Sequence, residues 1–444
     1  MPRRVFSVIT VSLGVTLAIL DTTIMNIALP SMSVSMSLTE ADTIWIVNGY
    51  QLAIIMCLLS MSTIGEIFSY KKVYMFGLSV FTIASIVCAS ANGLASLVAG
   101  RMLQGLGASA MMAINMTLLR LTYPKKILGM GIGLNATLVA IASVLGPSLG
   151  ALILSSLTWR WLFLINIPIG ILAFIIGFFA LPENVVRSER ELPKYDMVMN
   201  AMFFGLLIMI VQGFSHGFST WSIVGIASSC LIVGYIYLNR QFKQEIPLLP
   251  IDLMRIPIFS LSVMTSIASF TAQMLAMVSI PFFFENTYGF SESETGMLFS
   301  AWPFTIMFAA PLAGSLIGKV NAGILGGVGL ALLSFGLAML SQLPDSPSYL
   351  DIAWRLVCCG FGFGMFQSPN NNVLMTSAPL NRSGSASGML AMARLIGQTT
   401  GATSVALLFH LFNGNAPRYA LYLGSAVALL AAICSVSRLT LKRE

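Results

Sequence analysis

Charge is what this chain has least of. Acidic and basic side chains make up 9% of its 444 residues, 16 acids against 23 Lys and Arg, with two histidines. A soluble domain carries about a quarter of its residues charged, so a water-exposed surface around a single core is excluded. Cysteine is equally uninformative as a staple. Cys57, Cys88, Cys230, Cys358, Cys359 and Cys434 all stand in apolar segments without a loop partner, and no His or acid lies beside them at metal-ligand spacing. They read as small apolar residues, and neither a disulfide framework nor a metal or other cofactor is expected. No G-x-x-x-x-G-K-[ST] stretch is present to cradle a nucleotide and no Ser-His-Asp set to form an acyl intermediate, so the sequence supports neither an ATP-driven pump nor an enzyme. The first apolar run is too long for a cleavable signal peptide, contains Asp21 and lacks a small-residue cleavage site.

What the chain has instead is apolar length. Hydrophobic residues are 57% of the total and mean hydropathy is +0.88. They come in runs long enough to cross a bilayer, for which about 20 residues suffice, rather than in a helical stripe. The runs predict fourteen spans, at 5–30, 42–64, 73–91, 93–120, 128–156, 160–181, 196–214, 220–239, 257–283, 293–318, 321–342, 350–374, 384–410 and 418–438. The expected fold class is an all-α polytopic membrane protein.

Orientation follows from the basic residues. Arg160 and Arg418 fall on one side, Arg101, Arg355 and Arg394 fall within spans, and the remaining Lys and Arg, eighteen of the 23, fall on the side of both termini. That side is expected to be cytoplasmic. The net charge of +7 is therefore read as a topology signal and not as a nucleic-acid footprint.

The polar stretches 182–195 and 240–256 flank one pair of spans, and the six-span blocks on either side echo one another. GIGLNATLVAIASVLGPSLGA, from Gly131, aligns with SGSASGMLAMARLIGQTTGA, which ends at Ala402, placing Gly146, Gly150 and Ala151 on Gly397, Gly401 and Ala402. Pro30 and Pro281 share the same offset of 251 residues. The expected organisation is an N-terminal six-helix bundle (1–181), linkers with two inserted helices (182–256) and a C-terminal six-helix bundle (257–444), a parallel repeat of the kind transporters use.

Asp21 is the acid that sits well inside a span. A carboxylate there costs roughly 2.5–3.5 kcal/mol on insertion scales, so it marks a proton, ion or substrate site. It lies about 13 Å inward from Pro30 at helical rise, and Arg101 lies at a similar depth, about 12 Å from the outer start of its span. Asp21 as the proton carrier with Arg101 tuning it, or the two as a static ion pair, are the readings at this point. The 251 offset carries Asp21 onto Ala272, beside Gln273, so proton coupling is expected in the N-terminal half alone, and Gln273 is a candidate for the substrate cavity.

Several motifs now converge on a family. LDTTIMNIALP (20–30), WIVNGYQLA (45–53), GEIFSYKK (65–72), RMLQGLGASA (101–110), GPSLGA (146–151) and WRWLFLINIPIG (159–170) follow in that order. Together they resemble the signature segments of the major facilitator superfamily, and within it the fourteen-span drug:proton antiporters. The loop motif departs from the family pattern, with Glu66 for Asp, Ile67 for Arg and Ser69 for Gly.

The resemblance implies a major facilitator fold, two six-helix bundles plus two inserted helices, exporting amphipathic organic compounds or drugs in exchange for protons by alternating access. Export of an endogenous metabolite, organic anion or siderophore is the alternative. The motif also implies gating at the kinkable Gly146, Pro147 and Gly150, while Glu66, Lys71, Lys72 and Arg120 fall at the cytoplasmic edge, where they read either as a charge network that latches the outward-open state or as a topology signal alone. Arg394, near mid-span, is suited either to an anionic substrate group or to approach Asp21 in one conformation. Arg355, closer to a span end, is placed to snorkel.

Gln367, Asn370 and Trp302 are further cavity candidates, among Met and Phe side chains suited to apolar ligands. His216 and His410 read as bystanders. Expected partners are a small molecule, protons and membrane lipid, with no nucleic acid and with function as a monomer. The expected place is a bacterial inner membrane.

Overall fold

A computed structural model of the chain describes residues 2–37, 40–183, 191–215, 219–290, 292–344, 346–412 and 415–438. Among them there are helices and no strands: α1 (Pro2–Met36), α2 (Glu40–Ile67), α3 (Tyr70–Ala89), α4 (Leu94–Thr122), α5 (Leu128–Ser156), α6 (Trp161–Leu164), α7 (Asn166–Ala180), α8 (Lys194–Ser215), α9 (Thr220–Lys243), α10 (Ile251–Met254), α11 (Pro257–Phe282), α12 (Glu292–Phe299), α13 (Ala301–Leu316), α14 (Ala322–Ser341), α15 (Tyr349–Ser377), α16 (Ser383–Leu411) and α17 (Ala416–Ser437). Eleven stretches of the described residues are long and apolar enough to span a bilayer, α6–α7 and α12–α13 each counting as one. The long helices α5, α8 and α16 stand where the sequence predicts three more. His216, residues 184–190 of the first linker and the side chains of Pro30, Pro147, Ala151 and His410 lie outside the described residues.

Local chemistry sets the helix ends. The loop after α2 is two residues, 68–69, and Ser69 takes an extended conformation (φ −179°) whose hydroxyl caps α3 by accepting from the Lys72 amide. An extended residue needs no glycine, and a serine oxygen satisfies one of the orphan amides at a helix start. The replacement of the family's Gly by Ser69 is thereby accommodated.

The helices form two compact units. One holds Met1–Tyr123, Leu145–Leu253 and Ala378–Ala391, and the other holds Pro124–Val144, Met254–Ser377 and Met392–Glu444. Helices α8 and α9, expected from the sequence to be an insertion, belong to unit 1, where Asn200 on α8 donates to the Met56 carbonyl of α2 at 3.1 Å. These boundaries differ from a plain division at the linkers, because α5 and α16 are each divided between the units. The first turns of α5 press on α13 in unit 2, where a Cβ on Gly133 would lie 2.6 Å from the Ala310 carbonyl oxygen. The first turns of α16 press on α2 in unit 1, where a Cβ on Gly384 would lie 2.8 Å from the Ser62 carbonyl oxygen. Gly133 and Gly384 are 251 residues apart.

The repeat read from the sequence is thus also a repeat of packing. In unit 1, α3 and α4 cross with Gly77 and Gly107 against each other's carbonyls; in unit 2, α14 and α15 cross in the same way at Gly329 and Gly362. Gly146 and Gly150 seat α5 on Thr23 and Ile24 of α1, while Gly397 and Gly401 seat α16 on α11 around Ile267 to Leu275. Small residues at such crossings let helix backbones approach to contact distance, which is the main source of affinity between helices in lipid.

Candidate functional site

In unit 1, α4 crosses α2 with Gly105 against the Tyr50 carbonyl. This close approach turns Arg101 and Gln104, three residues apart and so on one helix face, toward Asp21 of α1. A break at Ile165 ends α6 and makes Asn166 the first residue of α7, on the same cluster.

The result is a carboxylate enclosed by donors. Arg101 Nη1 donates to Asp21 Oδ2 at 2.5 Å. Gln104 Nε2 and Asn166 Nδ2 donate to Oδ1 at 2.8 and 3.1 Å. Gln104 also donates to Ser85 Oγ and accepts from Arg101 through its amide oxygen. Arg101 reaches the Ile46 carbonyl through Nε and lies over the Tyr50 ring, 4.3 Å from its centre. Asp21 is 2% exposed and Arg101 is fully buried, while Arg101 Nη2 has no hydrogen-bond partner among the described residues.

Both Asp21 oxygens accept from donors, Oδ2 from Arg101 and Oδ1 from Gln104 and Asn166, so the cluster suits a carboxylate paired with a guanidinium. Protonating Asp21 would remove one charge of the pair and leave Arg101 a lone cation in an apolar interior, a state that favours rearrangement. Gln104 and Asn166 were not singled out by the sequence. The i, i+3 spacing from Arg101 was the available signal for Gln104, and an isolated amide at the start of an apolar helix was the signal for Asn166.

The equivalent place in unit 2 is apolar. The crossing glycines Gly105 and Gly107 correspond to Gly360 and Gly362, so Arg101 and Gln104 fall on Leu356 and Cys359, and Asp21 falls on Ala272. All three are fully buried in the hydrophobic core of that unit. Tyr50 is matched by Trp302, whose backbone Gly360 touches; Trp302 is itself fully buried and its indole N–H has no partner among the described residues. Trp302 therefore stands in the core rather than on a surface.

A second charged cluster in unit 1 gathers at the start of α16. Glu66, at the end of α2 and fully buried, accepts from the Ser385 amide in the first turn of α16 at 2.5 Å and from Arg382 Nη1 at 3.2 Å. Arg382 also grips Asp252 with two bonds, of 3.0 and 2.8 Å. Arg120 donates to Ser383 Oγ and the Ala378 carbonyl, and Thr117 donates to the Ser383 carbonyl. A carboxylate at a helix N-terminus complements both the free amides and the macrodipole. Lys71 lies over the Phe178 ring at 5.7 Å, and Lys72 is exposed. The structure thus brings Glu66 and Arg120 to one helix start and adds Arg382 and Asp252.

The remaining candidates lie in unit 2, apart from Gly146 and Gly150, which are buried against α1. Asn370 is 1% exposed; it donates to Ser266 Oγ and the Ser262 carbonyl and accepts from Arg438. Arg355 pairs with Asp351 at 2.8 Å. Gln273 and Gln367 are half-buried, and Arg394 is half-buried beside Phe270.

Comparison with known proteins places this geometry. The chain is 46% identical over its whole length, and 97% of the other's, to the uncharacterized transporter YebQ of Escherichia coli strain K12. It is 27% identical to the riboflavin transporter RibZ of Clostridioides difficile strain 630, covering 98% of this chain and 96% of that one. It is also 27% identical to the multidrug resistance protein Stp of Mycobacterium tuberculosis, covering 90% and 74%. Among solved structures, that of the human organic anion transporter MFSD10 superposes with a TM-score of 0.74 at 15% identity, over 98% of this chain and all of the other, and so shares the fold. The model of the Major Facilitator Superfamily matches residues 11–402 and again 263–443, and this multi-pass membrane chain, a transporter and not an enzyme, belongs to that superfamily.

Proposed function

We propose that this protein is a fourteen-span drug:proton antiporter that exports amphipathic organic compounds from a bacterial cytoplasm across the inner membrane. Both termini lie on the cytoplasmic side, and the protein acts as a monomer. The carrying observation is the Asp21 cluster: a mid-span carboxylate, buried, satisfied by Arg101, Gln104 and Asn166, with an apolar counterpart in the other repeat. Proton arrival at Asp21 dissolves the charge pair and loosens α1 from α4, and proton loss restores it. Helix rearrangement is thereby tied to proton movement, which is what exchange requires. Relatives that confer drug resistance support the cargo class.

In the same reading, residues 1–181 and 257–444 are the moving bundles and 182–256 an insertion. Gly146, Pro147 and Gly150 on α5 serve as a gating contact. Glu66 and Arg120, in a basic setting that includes Lys71 and Lys72, latch the start of α16 in one state of the cycle and release it in the next. Gln273, Gln367, Asn370, Trp302 and Arg394 are the substrate-side candidates. A second reading, export of an endogenous metabolite, is favoured by the full-length likeness to a riboflavin transporter.

The test is proton release from proteoliposomes on adding cationic, neutral and anionic amphiphiles, with wild type and Asp21→Asn side by side. Release by wild type alone is expected. Equal release by both, or substrate transport without release, overturns proton coupling through Asp21. Competition between drugs and metabolites such as flavins separates the two cargo readings.

A further inference from the structure

Arg394 stands out among the guanidiniums within the spans. Arg101 is paired with Asp21, and Arg355 with Asp351. Arg394 has neither a hydrogen bond nor an ion pair to any described residue; its contact is the Phe270 ring, 5.7 Å from the guanidinium carbon. It lies eleven residues into α16, roughly 16 Å along the helix at 1.5 Å per residue.

Its placement is built rather than incidental. Gly397 and Gly401, on the same α16 face as Arg394, bring that face onto α11 with no room for a Cβ. Phe270, on the opposing helix, is 5% exposed, belongs to the core of unit 2 and packs edge-on against Phe363 at 5.4 Å. The guanidinium is therefore directed at the inside of its unit and not at lipid, in a residue that is only partly buried. One turn beyond Phe270 on α11, the half-buried Gln273 adds a neutral polar group.

A guanidinium carries five N–H donors and no acceptor, and inside a membrane span it is retained where something else supplies the oxygens. A planar oxyanion supplies them through two parallel charge-assisted bonds and neutralises the charge, which ammonium or amide groups cannot do.

We propose that Arg394 is the anion-recognition residue for cargo, taking the carboxylate or equivalent planar oxyanion of an amphipathic organic acid. This inference rests on the chain being a transporter of small organic molecules and not on proton coupling through Asp21.

The test is equilibrium binding to purified protein in detergent, with matched pairs of aromatic acid and amide: 2-naphthoate and 2-naphthamide, pyrenebutyrate and pyrenebutyramide. Wild type, Arg394→Gln and Arg394→Lys are compared, with Asp21→Asn alongside. Wild type is expected to prefer the acid by roughly tenfold or more, as charge-assisted bidentate recognition implies. Arg394→Gln is expected to erase the preference, Arg394→Lys to keep a reduced preference, and Asp21→Asn to retain it.

Because Arg394 has no hydrogen-bond or ion-pair partner to orphan among the described residues, Arg394→Gln is expected to melt no lower than wild type; a lowered melting temperature would mark a structural role instead. Wild type that does not distinguish acid from amide in either pair, bound or unbound, overturns the proposal. So does an acid preference that survives in Arg394→Gln. Loss of the preference in Asp21→Asn would assign anion selection to the Asp21 cluster.

Discussion

Gln104 donates to Asp21 Oδ1 at 2.8 Å while its own amide oxygen accepts from the Arg101 that holds Asp21 Oδ2. One neutral side chain therefore closes a ring around the ion pair, holding the guanidinium and the carboxylate in register. The ring makes the proton site and the structural pair separable by experiment.

Asp21→Asn keeps an acceptor oxygen but leaves Arg101 charged and buried. Breaking one side of such a pair costs about 3–5 kcal/mol, so this variant is expected to melt at lower temperature than wild type. The neutral double variant Asp21→Asn with Arg101→Gln is expected to recover most of that loss. Neither is expected to release protons on substrate addition. A double variant that exchanges protons as wild type does would make the pair structural.

Ala272 is the repeat equivalent of Asp21 and is fully buried among apolar side chains. Ala272→Asp places a carboxylate where Leu356 and Cys359 replace Arg101 and Gln104. Without donors the burial costs several kcal/mol, and a folded, monodisperse product is not expected. Size-exclusion chromatography after mild solubilisation checks this. Normal yield and transport would mean that the site in unit 2 is wetter than its packing implies.

Arg382 is shared between Glu66 and Asp252, so removing the cation differs from removing either acid. Arg382→Gln leaves two carboxylates facing one another and is expected to destabilise by about 3 kcal/mol, more than Glu66→Gln, in thermal or denaturant unfolding. The double variant should cost less than the two single losses together, by roughly 0.5–3 kcal/mol for residues in one network. Additive losses would show that Glu66 serves the helix start without Arg382.

At Gly107 a Cβ would lie 2.6 Å from both the Gly77 carbonyl oxygen and the Phe81 amide nitrogen, whereas at Gly93 it would meet nothing within 4 Å. Gly107→Ala is expected to destabilise by about 1–3 kcal/mol through overpacking of the α3–α4 crossing. Gly93→Ala, at an extended N-cap residue, is expected to stay within about 0.5 kcal/mol of wild type, as substitutions away from packed features do. Melting of the two variants in the same detergent checks the contrast.

Much of this was readable one residue at a time. The apolar runs marked the helices because a membrane-crossing segment must satisfy its own backbone and bury few charges, which is a local requirement. The echo between Gly146–Gly150 and Gly397–Gly401 announced a repeat, and the glycines do occupy equivalent crossings. The cost of a carboxylate inside a span picked out Asp21, and the similar depth of Arg101 made it the natural partner.

Other features depended on which helices cross and how closely. Asn166 reaches Asp21 across 145 residues, and Arg382 reaches Glu66 across 316, and nothing in either local pattern selects the partner. Trp302 and Asn370 read as cavity residues by type; residue type does not show that the crossing at Gly360 buries the first or that a hydrogen-bond network with Ser262, Ser266 and Arg438 engages the second. The division of α5 and α16 between units is likewise set by side-chain clearance at Gly133 and Gly384. Hydropathy and charge act along the chain and decide what enters the membrane; clearance and hydrogen-bond geometry act between segments and decide which polar groups meet there.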